Sequence, residues 1–331
     1  MSHTLPQGLG ITLPEGACPS DFEGAVRRFS VEMGWPGHLQ LKWRHANGAM
    51  LLQMRLRGDN WARLCPAFDT LGLAQRLRDL GAPAAPDDLM REAWLALLAA
   101  PQRIDFASLA SLRSHLRVRC RIARAAEKAA LAFNTTDAAE RPAQFWRYSE
   151  AEGYLLQPEA GLVEALRAAT QPEPTGRLYD FSCYRASEYV ILLGLAQEAQ
   201  RTDPALYGRL QDSARETCIK SGQFHEVFLT EYGSLDAPIP ERFYVPGDRV
   251  WFKNPDEPSS NASGYEGSWV IYLGQGLFSN FWRRKQPYTL ERKALELFHW
   301  RHGTYRDVTA AEQTRYAEDA ARRRATKTAG Q

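Results

Sequence analysis

The segment RLYDFSCYRASEYVILLGLAQEAQ, residues 177–200, constrains this 331-residue chain more than any other stretch. It begins as an aromatic-rich extended piece and turns, at Ser182 and Cys183, into a helix that directs Tyr189, Leu192, Leu193 and Ala196 to a core. Cys183 therefore opens a buried helix. A thiol at a helix N-terminus meets unsatisfied backbone N–H groups and the positive end of the helix dipole, and both favour the thiolate. A free cysteine is equally a small hydrophobe suited to a core, so position alone admits a reactive and a structural reading.

The flanking sequence supplies helices and strands in mixed order. The runs HLQLKWRH and AMLLQMRLRG alternate around Asn47-Gly48 and predict a hairpin. Helical spacing over 69–100 predicts two helices, the second capped by Asp87 or Asp88 after Pro86. The stretch FASLASLRSHLRVRCRIARAAEKAALAF, 106–133, predicts one long amphipathic helix with Arg113, Arg117, Arg119, Arg121 and Arg124 on its solvated side. FWRYSEAEGYLLQP reads as a strand pair turning at Glu152-Gly153, and PEAGLVEALRAAT as a short helix. YVPGDRVWFKNPDEP reads as turn, strand and turn, SWVIYLGQGLFSNFW as a strand pair bent at Gly274 to Gly276, and TLERKALELFHWRHG as a last helix.

Composition narrows the partners. With 41 basic residues against 39 acidic ones the formal charge is +2, too small to make nucleic acid or an anionic membrane the default partner. No stretch approaches the roughly 18 apolar residues of a membrane span, and the N-terminal sequence lacks the basic start and apolar run of a signal peptide. The expected location is the cytoplasm, or outside the cell by a signal-peptide-independent secretion route. Five cysteines, scattered and without a CxxC pair, argue for reduced thiols rather than a zinc ribbon or disulfide framework.

The linear order FWRYS, LYDFSCYRASEYVILLGLA, GDRVWFKNPD and GSWVIYLGQGLF resembles the spore-coat-type bacterial protein-glutamine γ-glutamyltransferases over about residues 102–285. The resemblance implies an α+β fold: a papain-like domain with a nucleophile-bearing helix packed on an antiparallel sheet, plus an N-terminal α/β accessory region. The boundaries it implies are an accessory region at 1–100, the transglutaminase-like domain at 101–310 and a polar tail at 311–331. Phe181, Ser182 and Cys183 fall on the family's nucleophile motif. The implied chemistry is attack of a Cys183 thiolate on the carboxamide of a protein glutamine, with a lysine amine or water as acceptor. It requires no metal or organic cofactor.

Three positions depart from the family pattern. Ser268 stands where the family carries a glutamate, Ser182 where it carries an acid before the cysteine, and Ser279, Asn280 and Phe281 where a histidine is usual. Glu266, on the other side of Gly267, reads as a relocated base or as an exposed loop carboxylate; strand alternation places it on the same face as Ser268. Asn280 reads as a group orienting a base or donating to an oxyanion, or as a turn residue. The candidate site is thus Cys183, Glu266, Ser268 and Asn280. His299 and His302, three apart on the last helix, read as rim residues, since two ligands do not make a metal site. Loss of the acidic positions keeps two alternatives open: a catalytically degenerate relative that binds a partner in the same cleft, and an exported deamidase effector.

Overall fold

The computed structural model describes residues 5–34, 39–46, 48–82, 87–134, 140–219, 221–234, 238–262, 264–300 and 311. Strand β1 (Leu9–Thr12) and helix α1 (Pro19–Glu32) precede the expected hairpin of β2 (Leu39–Ala46) and β3 (Ala49–Leu56). These strands pair antiparallel from Leu39↔Leu56 to Ala46↔Ala49. Asn47 and Pro86 lie outside the described residues, while Gly48 has the positive φ, 77°, that a tight hairpin uses.

Helices α2 (Gly58–Leu64), α3 (Leu73–Asp79) and α4 (Asp88–Leu98) follow, the last capped as expected by Asp87, which accepts from the Met90 amide at 3.1 Å. Strand β4 (Ile104–Phe106) then runs parallel to β1 and completes a four-stranded sheet of order β2-β3-β1-β4.

Helix α5 (Leu109–Lys128) is capped by Ser108 and Ser111 in a reciprocal box and is shorter than its periodicity predicts. From Ala129 the chain is extended, and Ala132–Phe133 form strand β5. The reason is tertiary: the amides of Ala130, Leu131 and Ala132 bond to the carbonyls of Thr170, Phe281 and Tyr179 instead of to their own helix. The arginines of α5 are ion-paired rather than merely solvated. Arg113 meets Glu32, Arg124 meets Asp87, Arg117 and Arg121 converge on the buried Glu198, and Arg119, itself buried, binds Asp248.

Strands β6 (Trp146–Ser149) and β7 (Gly153–Leu156) form the expected hairpin, and helix α6 (Leu162–Thr170) follows. Strand β8 (Asp180–Phe181) pairs parallel with β5 and delivers the chain to helix α7 (Cys183–Thr202). Tyr189, Leu192, Leu193 and Ala196 are buried as their register predicts, but the helix is buried on every side from Ala186 to Gly194, Ser187 and Glu188 included. It packs on α5, on α6 and on the sheet. At its crossing with α5, a Cβ on Gly194 would lie 2.8 Å from the Ile122 amide nitrogen, so only glycine permits this approach.

After helices α8 (Pro204–Glu216) and α9 (Ser221–Phe228) comes the second sheet, β9 (Arg249–Lys253), β10 (Gly267–Gly274), β11 (Leu277–Phe278) and β12 (Tyr288–Thr289). It is antiparallel throughout, in the order β12-β11-β10-β9. Helix α10 (Glu257–Ser260) sits in the β9–β10 connection and α11 (Leu290–Trp300) follows β12. The chain is therefore of mixed α+β class. Among the described residues no helix is long and apolar enough to cross a membrane.

The motif GDRVWFKNP acts as a brace for β9. Gly247 has φ 87°, and a Cβ there would sit 2.7 Å from the Arg119 carbonyl oxygen. Asp248 accepts from Arg119 at 2.6 Å and from the Val245 amide at 2.7 Å. At the far end Asn254 donates to the Tyr265 carbonyl and the Ser259 hydroxyl and accepts from the Asp256 amide, which closes the strand.

Candidate active site

Phe181 fixes the entry to α7. It is buried against Tyr189, ring centroids 5.0 Å apart, and the Arg141 guanidinium lies 3.5 Å above its ring. Ser182 is extended and caps the helix by accepting from the Arg185 amide at 3.2 Å. Cys183 is thereby the first residue of the helix and half-buried, one of five free cysteines in the chain.

Burial pushes the Cys183 thiol above its ordinary value. Against this act the Trp269 amide from β10, the Lys293 ammonium, and the amides of Tyr184 and Cys183 itself. The sulfur is thus met by N–H donors of the helix start and of the facing strand. Lys293, 2% exposed, is held by Glu296 at 2.7 Å, whose other oxygen accepts from the Tyr288 hydroxyl at 3.2 Å.

The residues beside Cys183 in sequence and on the facing strand, Tyr184 and Trp269, belong to an aromatic cluster. Tyr184 meets Trp269 edge-on at 5.4 Å, and Trp269 lies 4.7 Å from Trp251 on β9. The Arg249 guanidinium lies over both the Tyr184 and Trp269 rings, at 4.1 and 4.0 Å from their centroids. Beyond Trp269 a cavity of about 580 Å³ opens, bordered by Ile122, Leu195, Phe228, Arg249, Trp251 and Trp269 among others.

The other candidates are placed differently. Ser268 is 4% exposed, immediately before Trp269 and opposite Phe252 in the β9–β10 register. Glu266 is exposed, and its carboxylate accepts from the Gly264 amide at 3.0 Å. Asn280 is buried in the turn after β11: its amide nitrogen donates to the Gln286 carbonyl, and its oxygen accepts from the Trp282 and Arg283 amides. The geometry brings Cys183 to the Trp269 amide, buries Ser268 opposite Phe252, holds Asn280 in a turn and leaves Glu266 at the surface. His299 lies on α11, and His302 falls outside the described residues.

A family model described as protein-glutamine gamma-glutamyltransferase matches residues 74–291. The chain belongs to that family. The match runs from α3 to the first turn of α11, so this transglutaminase-family region contains Cys183, its facing strand and the cavity. Among solved structures, the transglutaminase from Geobacillus stearothermophilus without its C-terminal extension is similar at 22% identity, over 58% of this chain and 86% of that one, with a TM-score of 0.39. No curated protein matches the chain.

Three residues at this transglutaminase-family site escape a sequence reading. Lys293 and Glu296 fall just past the matched region and have the i, i+3 spacing of an ordinary surface pair. Arg249 lies inside GDRVWFKNP, but an arginine on a short strand gives no sign of its surroundings. The available signal for the pair is the run of apolar residues around it in TLERKALELFHW.

Proposed function

We propose that the chain is a protein-glutamine γ-glutamyltransferase acting through Cys183. The observation that carries the reading is the placement of Cys183 at the first turn of α7, its sulfur against the Trp269 amide, within a chain of this family. The packing of α7 on β10 also supports a papain-like arrangement, to which residues 1–100 would be an accessory region that overlaps the family match over 74–100.

The thiolate attacks the γ-carboxamide carbon of a protein glutamine, and the S–C bond forms as the carbonyl becomes an oxyanion. The amides of Cys183 and Trp269 are the donors best placed for that oxyanion. Collapse breaks the C–N bond and releases ammonia, which takes up the proton lost by the thiol. A lysine amine then attacks the thioester, the C–S bond breaks and the amine's proton returns to the Cys183 sulfur, which gives an isopeptide and the free thiol; water in place of the amine gives glutamate. In this scheme Ser268 passes the thiol proton to Glu266, which returns it to the departing ammonia, and Asn280 positions the turn after β11.

A second reading is favoured by a specific observation, that burial pushes the Cys183 thiol up, and it accords with the resemblance, which implies acids where Ser182 and Ser268 stand. On this reading the cleft binds a protein partner without turnover. Mass spectrometry of casein incubated with a labelled primary amine separates the readings. Amine incorporation that vanishes in Cys183→Ala identifies a transglutaminase, and a Cys183-dependent gain of about one mass unit per glutamine identifies a deamidase. Neither product, together with a Cys183 inert to iodoacetamide, sinks the enzyme and leaves the binding protein.

A further inference from the structure

We propose that Arg249 anchors a carboxylate of the protein substrate, beside the reacting glutamine, at the end of the cavity that reaches Trp269. The inference deepens the transglutaminase reading of Cys183 and rests on it for the identity of the substrate.

Arg249 lines the cavity with Trp251 and Trp269, and its guanidinium lies against the rings of Tyr184 and Trp269. Its Nε, Nη1 and Nη2 atoms are all buried, and none has a hydrogen-bond partner among the described residues. Contact with aromatic rings satisfies the charge of a guanidinium in part, but it supplies no oxygen acceptor to the N–H fork. A desolvated fork of this kind is a large penalty in the free protein, and retaining it makes physical sense where a ligand completes it.

Among the described residues no carboxylate completes the fork, Glu241 at the same cavity included. Asp248, the neighbouring residue, has one oxygen on Arg119 and the other on the Val245 amide. Glu231, also at the cavity, lies 4.0 Å from His225. A planar fork of N–H donors matches a carboxylate in bidentate geometry better than any other group a protein side chain offers.

The same two rings tie Arg249 to the reaction centre. Tyr184 directly follows Cys183, and the Trp269 amide faces its sulfur. A carboxylate on Arg249 therefore places its own chain next to the thiol, as a side chain flanking the glutamine or as the C-terminus of a short peptide. Tyr184 and Trp269 are both half-buried and lie against the guanidinium, so a carboxylate that reaches its buried N–H atoms shifts these rings and alters tryptophan emission.

The test uses the full chain carrying Cys183→Ala, so that binding is read without turnover. Blocked glutamine peptides carry one aspartate moved through the positions on either side of glutamine, each with an asparagine counterpart. A second set compares a free C-terminal carboxylate with its amide. Calorimetry and tryptophan emission give the affinities. At least one acidic peptide is expected to bind roughly tenfold more tightly than its neutral partner, the scale of a charge-assisted hydrogen bond. In Arg249→Met that preference is lost, and in Arg249→Lys it is partly kept; should the methionine variant fail to fold, the lysine variant and Arg249→Gln carry the comparison.

The aspartate and C-terminal sets tell the two carboxylate sources apart. Absence of any acidic preference, or a preference that survives loss of the guanidinium, overturns the proposal. Turnover of neutral glutamine peptides without acidic preference overturns it while leaving the transglutaminase reading intact. Tight Arg249-dependent binding of acidic peptides with no turnover by the unmutated chain does the reverse.

Discussion

Lys293 and Glu296 form a 2.7 Å ion pair with both side chains sealed from solvent, 2% and 5% exposed. The ammonium also lies over the Tyr288 ring at 4.4 Å. Such a pair is costly to assemble and far costlier to break, because removal of one partner strands the other charge in the core. Glu296→Gln is expected to lower unfolding stability by roughly 3–5 kcal/mol, whereas Lys293→Met with Glu296→Leu recovers most of it. Denaturant titration of the two variants checks this; equal losses in both mean that the pair's charge is not what matters.

The same lysine acts on the nucleophile. Burial raises the Cys183 thiol, and the Lys293 ammonium is among the groups that bring it back down. The rate of Cys183 alkylation by iodoacetamide is therefore expected to climb with pH and to reach half its limit above 9.0, the ordinary value for the group. Without the Lys293 charge, in the double variant, the midpoint moves higher still. A midpoint below 9.0 in the unmutated chain contradicts the balance of burial over donors.

Much of this architecture was legible in the sequence, because the signals that carried it are local. Alternation around Gly48, the Asp87 cap and the continuous apolar run of α7 each fix a backbone conformation within a few residues. The end of α5 was not legible. Ala129 to Phe133 are good helix formers by spacing, and they leave the helix because carbonyls from residues 170, 179 and 281 claim their amides. At the site, Cys183 could be placed at a helix start from neighbouring residues alone. Arg249 and the Lys293–Glu296 pair could not, since what makes them unusual is burial supplied by distant parts of the chain.

His115 titrates against the fold. Burial, and next the nearby Arg119 charge, push it down to about 3, and its Nε2 accepts from Arg119 Nε at 2.7 Å. In the unfolded chain the same imidazole takes a proton near 6.5. Below that pH the unfolded state binds one more proton than the native state, so stability falls as pH falls. Between pH 7 and 5 His115 is expected to account for a loss of about 2 kcal/mol. His115→Gln, whose amide oxygen also accepts from Arg119, removes that contribution. Denaturant unfolding at the two pH values, with and without the substitution, measures it; parallel losses in both proteins mean that His115 is not the group responsible.

Gly194 and Gly247 hold α5 against α7 and against the GDRVWFKNP brace, and they do so for different reasons. At Gly194 the backbone is ordinary helix, and the added Cβ would meet Ile122 Cγ1 at 2.5 Å and its amide nitrogen at 2.8 Å. Alanine there has a better helix propensity, yet overpacking at a helix crossing costs roughly 1–3 kcal/mol, more than the gain in propensity. At Gly247 the penalty is double, since the residue has φ 87° and its Cβ would press on the backbone of Arg119 at 2.7–2.9 Å. Gly247→Ala must therefore strain the turn or push β9 away from α5, and β9 carries Arg249 and Trp251. Both variants are expected to lose stability. Only Gly247→Ala is expected also to change tryptophan emission in the native state, because it moves the strand that borders the cavity. Near-ultraviolet circular dichroism together with thermal melts distinguishes the two, and a Gly247→Ala protein with an unchanged aromatic spectrum shows that the brace does not set the position of β9.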